Sequence, residues 1–147
     1  MNYDKPLVAT ALGVASTIPY EIITRVMLFM GIGKYSFYEL DSLIVTSNRP
    51  SVFLGFIVSS IVGGVLAVIL YYATIKIGKD YLVLKGIAIS LIFGMVLEVL
   101  FMATIEGKSM PLRPLSDYYV HAFGAVIFGV SLGILFNIFL FKKPALT

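Results

Sequence analysis

Four apolar stretches, at about residues 7–32, 51–75, 81–105 and 118–141, leave this 147-residue chain few ways to fold. A helix needs about 20 mostly apolar residues to cross a hydrocarbon core of about 30 Å, and each stretch is long enough. The polar connections are too short to fold as domains, so 1–147 is expected to be a single all-α unit, a polytopic four-transmembrane-helix bundle. Composition agrees: 59% of the residues are hydrophobic and 13% charged, where an average soluble domain has roughly half and a quarter. The first stretch follows Asp4 and Lys5, as a secretory signal does. Its apolar run is too long for one, it contains Glu21 and Arg25, and no small-residue cleavage site follows, so it is expected to be retained.

The same residues exclude several chemistries. There is no Cys, hence no disulfide, thiolate zinc site or cysteine nucleophile, and a single His excludes multi-histidine metal sites. Eleven Lys and Arg are scattered between apolar runs without a basic tract, which speaks against a nucleic-acid partner. Glu98, Glu106, Asp117 and His121 lack a diagnostic metal spacing, and solvated loop charges account for Glu106 and Asp117. Phosphate-cradling glycine loops, HExxH and GxSxG are missing, so neither cofactor, metal nor enzymatic activity is expected.

Four crossings put both termini and the second connection on one side. That side carries Lys5, Lys76, Lys79, Lys85, Lys142 and Lys143 against Asp4 and Asp80; the other carries Lys34, Arg49, Lys108 and Arg113 against Glu39, Asp41, Glu106 and Asp117. Lys and Arg in short loops stay in the cytoplasm, so both ends are expected there. The Tyr residues at the two levels, Tyr71, Tyr72 and Tyr81 on one side and Tyr35, Tyr38, Tyr118 and Tyr119 on the other, read as an aromatic belt.

The long first connection places Phe37, Leu40, Leu43 and Ile44 at helical spacing, with Glu39, Asp41 and Ser42 elsewhere around the axis. Residues 36–46 suit either a short amphipathic helix lying in the interface or a loop covering the bundle. The third connection, 107–117, holds Pro111 and Pro114 and is expected to be extended and stiff, with Ser116 capping the fourth helix.

Helices in lipid associate by close packing and interhelical hydrogen bonds, so small residues at every fourth position mark contact faces. The first span has Ala9, Gly13 and Thr17, and the second Gly55, Ser59, Gly63 and Ala67. The third has Gly86, Ser90 and Gly94, and the fourth Ala125, Gly129 and Gly133.

Ionisable residues within spans are the most informative, because each costs roughly 2.5 to 3.5 kcal/mol at mid-helix. At about 1.5 Å per residue, Glu21 and Glu98 lie about 20 Å from the cytoplasmic boundary, and Arg25 and His121 about one turn further out. Glu21 and Arg25 are four apart, as are Asp117 and His121. Glu98 has no opposite charge within four residues of its own span and needs a partner elsewhere, or a proton. The expected arrangement is an intramembrane polar cluster of Glu21, Arg25, Glu98 and His121, with Pro19 freeing a backbone carbonyl near Glu21. Either it lines a proton- or ion-conducting path, making the chain a transporter or channel subunit, or it staples helix register. The staple fits a non-enzymatic accessory or scaffold component, which binds a second copy of itself or another membrane protein within the lipid bilayer.

Tyr71 and Tyr72, the run Gly78, Lys79, Asp80 and Tyr81, then Lys85 and Gly86, with His121 and Gly129 further on, resemble the YqhR-like family, small four-helix integral membrane proteins of Gram-positive, spore-forming bacteria. The resemblance covers the last two-thirds of the chain. It implies a four-helix membrane protein and transfers no catalytic residue.

Overall fold

The computed structural model describes residues 4–141, so Lys142 and Lys143 lie outside the described residues. The chain runs α1 (Lys5–Phe29), α2 (Phe37–Thr46), α3 (Val52–Ile77), α4 (Leu82–Thr104) and α5 (Leu115–Phe139). All but α2 are long and apolar enough to cross a membrane, at roughly 35 to 39 Å each. The fold is an all-helical four-helix bundle with a fifth, short helix added.

Local chemistry explains the ends. The Asp4 side chain accepts a hydrogen bond from the Leu7 amide and Pro6 sits in the first turn, where its missing N–H costs nothing. Between α3 and α4 the turn relies on Gly78 and on Tyr81, both with positive φ. The start of α5 differs from expectation. Pro114 is its N-cap residue and makes no side-chain cap, while Ser116 lies inside the first turn and caps nothing. Nor is 107–117 simply extended: the Gly107 amide donates to the Met110 carbonyl, closing a tight turn before the prolines.

Residues of all four small-residue stripes are consumed inside the bundle. A Cβ on Gly13 would stand 2.2 Å from the Gly63 carbonyl oxygen, which is how closely α1 and α3 cross. A Cβ on Gly129 would meet the Ile87 Cα at 2.5 Å, and one on Gly133 the Val83 Cα at 2.5 Å, so α4 and α5 are in backbone contact. The Ser90 hydroxyl adds a hydrogen bond to the Ala125 carbonyl across that seam. The Tyr20 ring of α1 packs against Gly124 of α5, where a Cβ would stand 2.1 Å from its Cε2. Around these crossings, at the end that bears the termini, sits an apolar core that includes Leu66, Leu70, Phe128, Leu132 and Phe136.

Gly55, Ser59 and Gly94 do something else. A Cβ on Gly55 would fall 1.7 Å from the Tyr38 carbonyl oxygen, so this glycine admits α2 rather than a spanning helix. Ser59 donates to Asp41 of α2. Gly94 has only the Ala125 Cβ nearby, at 3.8 Å, and borders open space. Although consecutive, α3 and α4 stand apart. At the distal end α2 fills the gap, with Leu40 and Leu43 packed against Phe101, Ile105 and Met110. Of the two forms considered for 36–46 the chain thus adopts the helix, and it packs into the distal end of the bundle with Tyr38, Asp41 and Ser42 buried and Ile44 exposed.

A helix end cannot be sunk among apolar spans unless its free amides find acceptors. Here Ser36 and Glu39 form a capping box, and α1 supplies the rest. Thr24 Oγ1 accepts from the Phe37 amide at 3.0 Å and Glu21 Oε2 from the Tyr38 amide at 2.8 Å. The Glu21 carboxylate also complements the positive end of the α2 dipole.

Candidate functional site

The buried charges gather at the distal end, and their centre is Arg113, which lies in the third connection. Its side chain is 0% exposed. Nε and Nη2 each donate to Glu106 Oε2 at 3.2 Å, Nη2 also to Glu98 Oε2 at 2.5 Å, and Nη1 to Glu98 Oε1 at 3.5 Å and Asp117 Oδ2 at 3.1 Å. A guanidinium has five N–H donors, and all are engaged. Its flat faces are covered as well, by Tyr118 at 4.5 Å and Phe101 at 5.0 Å from the ring centroids.

The carboxylates carry further partners. Glu106 Oε1 accepts from the Arg113 amide at 2.7 Å and the Tyr118 hydroxyl at 2.6 Å. Burial alone would raise the Glu106 pKa, but the Tyr118 hydroxyl and the Arg113 amide and guanidinium outweigh it and hold the carboxyl below its ordinary value. Asp117 Oδ1 accepts the amides of Lys34 at 2.7 Å and Tyr35 at 3.1 Å. Gly33 makes that approach feasible: its φ is +89°, and a Cβ there would press on Val120 and Asp117. One ionic knot therefore joins α4, the third connection, α5 and the loop that leads into α2. Charge within it is unequal, with one guanidinium against three carboxylates.

The residues expected to cluster divide in two: Glu21 and Arg25 stand on α1, and Glu98 and His121 both adjoin the knot and line one cavity. Glu21 pairs with Arg25 on α1 and caps α2; the Arg25 side chain is half exposed. Glu98 finds its cation in Arg113. His121 lies beside Asp117, with Nε2 at 3.7 Å from Oδ2. Among the described residues no hydrogen bond or ion pair joins Glu21 or Arg25 to Glu98 or His121. Glu106 and Asp117 are not solvated loop charges but buried members of the knot. Tyr38 shares a hydrogen bond with Thr17, and the Tyr118 hydroxyl donates to Glu106. The spacing of Arg113 and Asp117, four apart across a helix start, was the available sign of a buried pair.

Beneath α2 lies a cavity of about 80 Å³. Leu66, Phe93, Leu97 and Phe128 form much of its wall, and Asp41, Glu98 and His121 are the ionisable groups on it. Burial pushes the Asp41 carboxyl up to about 7, against the hydrogen bond from Ser59 and with the charges of Glu98 and Glu21 adding to the rise. The Tyr20 hydroxyl donates to the backbone carbonyl of His121 at 2.9 Å, leaving the imidazole untouched. Both ring nitrogens of His121 are buried and lack a hydrogen-bond partner.

Comparison with protein families, with curated proteins and with solved structures finds no match to this chain.

Proposed function

We propose that this chain is a non-enzymatic accessory or scaffold component of a bacterial plasma membrane, with both termini in the cytoplasm, and that the Arg113 knot is a structural lock. The carrying observation is saturation: every N–H donor of Arg113 already has a carboxylate. A residue that relays protons needs partners that come and go, whereas these bonds tie four segments together. The excess of basic residues on the side of the termini supports the orientation.

The small residues that close the bundle are spent internally, so they are not the face offered to a partner. What remains is a shallow groove along α1 and α3, bordered by Thr10, Ser60, Ile61 and Val65, as the face against which a helix of another membrane protein packs. A transporter or channel subunit is the competing reading, and the unpartnered His121 imidazole is what favours it.

Glu98→Gln separates the two. A lock predicts a lower unfolding midpoint in detergent and no proton flux into liposomes above background for either protein. If the variant is as stable as the parent but abolishes a flux that the parent supports, the lock reading falls.

A further inference from the structure

Asp41 is 8% exposed, and its carboxyl has one hydrogen-bond partner, the Ser59 hydroxyl of α3 at 2.5 Å. The titratable groups of the elements around it are Glu21 and Tyr20 on α1, Tyr38 and Glu39 on α2 itself, Glu98 on α4 and His121 on α5. None of them balances a negative charge at Asp41. Glu21 is paired with Arg25 and Glu98 with Arg113, so both cations are taken, and Nε2 of His121 stands beside Asp117. Neither Lys nor Arg lines the space next to Asp41. With burial opposed by no cation, the carboxyl is pushed up to about 7 and is neutral below that value.

The two halves of α2 are anchored differently. At its start the amides of Lys34 and Tyr35 donate to Asp117, that of Phe37 to Thr24 and that of Tyr38 to Glu21, and the Tyr38 backbone is seated against Gly55. From Asp41 onward, among the described residues, the side-chain hydrogen bonds to α3 and its N-cap are Asp41 with Ser59 and Ser42 with the Ser51 amide. Leu43 is the large apolar side chain buried beyond Asp41, since Ile44 and Val45 are exposed. The helix then ends at Ser47, where φ is +62°, and a short link through Asn48 and Pro50 leads to α3. Such a helix end is a place where a chain changes direction.

We infer that the C-terminal half of α2, 41–46, is a proton-operated lid on the distal end of the bundle: protonated Asp41 latches it to Ser59, and loss of that proton to water lifts it about the pinned N-terminal turn. Held down, the carboxylate stays buried without a cation. Lifted, it is hydrated and Leu43 is uncovered, which is the smaller cost. The proton exchanges with the compartment opposite the termini. The inference goes beyond the lock reading and does not depend on it.

The chain has no Cys, so an introduced pair carries spin labels at known positions. Val45→Cys on the lid and Tyr119→Cys on α5, both at exposed sites, are labelled in the full chain in lipid nanodiscs. The distance between the labels is measured by double electron–electron resonance at about pH 5 and about pH 9, on either side of the Asp41 transition. With Asp41 present, one distance is expected in acid and a second, shifted one in alkali, its population at least about tenfold larger than in acid. Asp41→Asn keeps an acceptor for Ser59 and has no proton to lose, and Asp41→Ser is a second uncharged replacement; both are expected to give the acid distribution at both pH values. Circular dichroism confirms that the variants are folded. The same distribution at both pH values with Asp41 present, a pH shift that persists in either folded replacement, or the shifted distance in a replacement at both pH values each overturns the inference.

Discussion

Replacing Arg113 isolates the energetics of the knot. Arg113→Lys keeps the charge but offers three donors from a single point in place of five from a planar fork. At least two of the five hydrogen bonds are then lost, and at about 1.5 kcal/mol or more for each bond to a charged group the destabilisation is about 3 kcal/mol. Arg113→Met removes the cation altogether and leaves three carboxylates packed together, a change of the kind that costs about 3–5 kcal/mol. The two variants also differ in their response to acid. Without the guanidinium the three carboxylates repel one another in the folded state, so protonation relieves the folded form more than the unfolded one and the Arg113→Met deficit against the parent narrows in acid. In the parent, Glu106 has the opposite sign. Its pKa is lowered from 4.5, so its contribution is present above that value and is lost only in stronger acid. Unfolding in dodecyl sulfate, followed by circular dichroism at several pH values, measures both effects. An Arg113→Lys protein as stable as the parent, or an Arg113→Met deficit that does not change with pH, refutes the assignment of Arg113 as the buried cation that holds the distal end.

Asp41→Asn tests the α2 wedge by linkage. Because the folded pKa of Asp41 is raised from 3.8 to about 7, its ionisation removes stability progressively as pH rises across that interval; Asn is spared this, so the variant is the more stable protein above about pH 7, by at most roughly 4 kcal/mol, and the advantage disappears near about pH 4. Equal pH profiles for the two proteins in the same unfolding assay would show that Asp41 is not buried as described. Two glycine substitutions test the helix crossings: Gly129→Ala places a Cβ 2.5 Å from backbone of α4 and costs about 1–3 kcal/mol, whereas Gly94→Ala meets an ordinary contact and is neutral or slightly stabilising. Indistinguishable unfolding midpoints for these two variants contradict the crossing geometry.

The spanning helices were legible because a 20-residue apolar run specifies a transmembrane helix without reference to anything else in the chain. The existence of α2 was legible too, from the spacing of Phe37, Leu40, Leu43 and Ile44. Its depth was not, because that depends on Glu21 and Thr24, which reach its amides from a different helix. Periodicity assigned Asp41 and Ser42 to a polar face, but Ser59 and the Ser51 amide give those side chains buried partners, and the face turns inward. Glu98 announced its need for a cation, since an acid in a span must be neutralised. Which cation was hidden, because Arg113 sits among prolines and polar residues that read locally as a solvated loop.

These features form one causal chain that begins at Gly55. With no side chain there, the backbone of Tyr38 seats against α3, and the N-terminus of α2 descends to the level where Glu21 can cap it. Once seated, α2 holds α3 and α4 apart. Gly94 is left with only the Ala125 Cβ of α5 near it, and the space that results is bordered by His121, the one buried side chain with no hydrogen-bond partner among the described residues. Glu98, facing the same space, then draws its counter-charge from above, which requires the third connection to fold down with Arg113. The cavity and the knot are thus two results of inserting a half-length helix into a four-helix bundle: the insertion opens room below α2, and the connection beside it must turn inward to neutralise the acid the opening exposes.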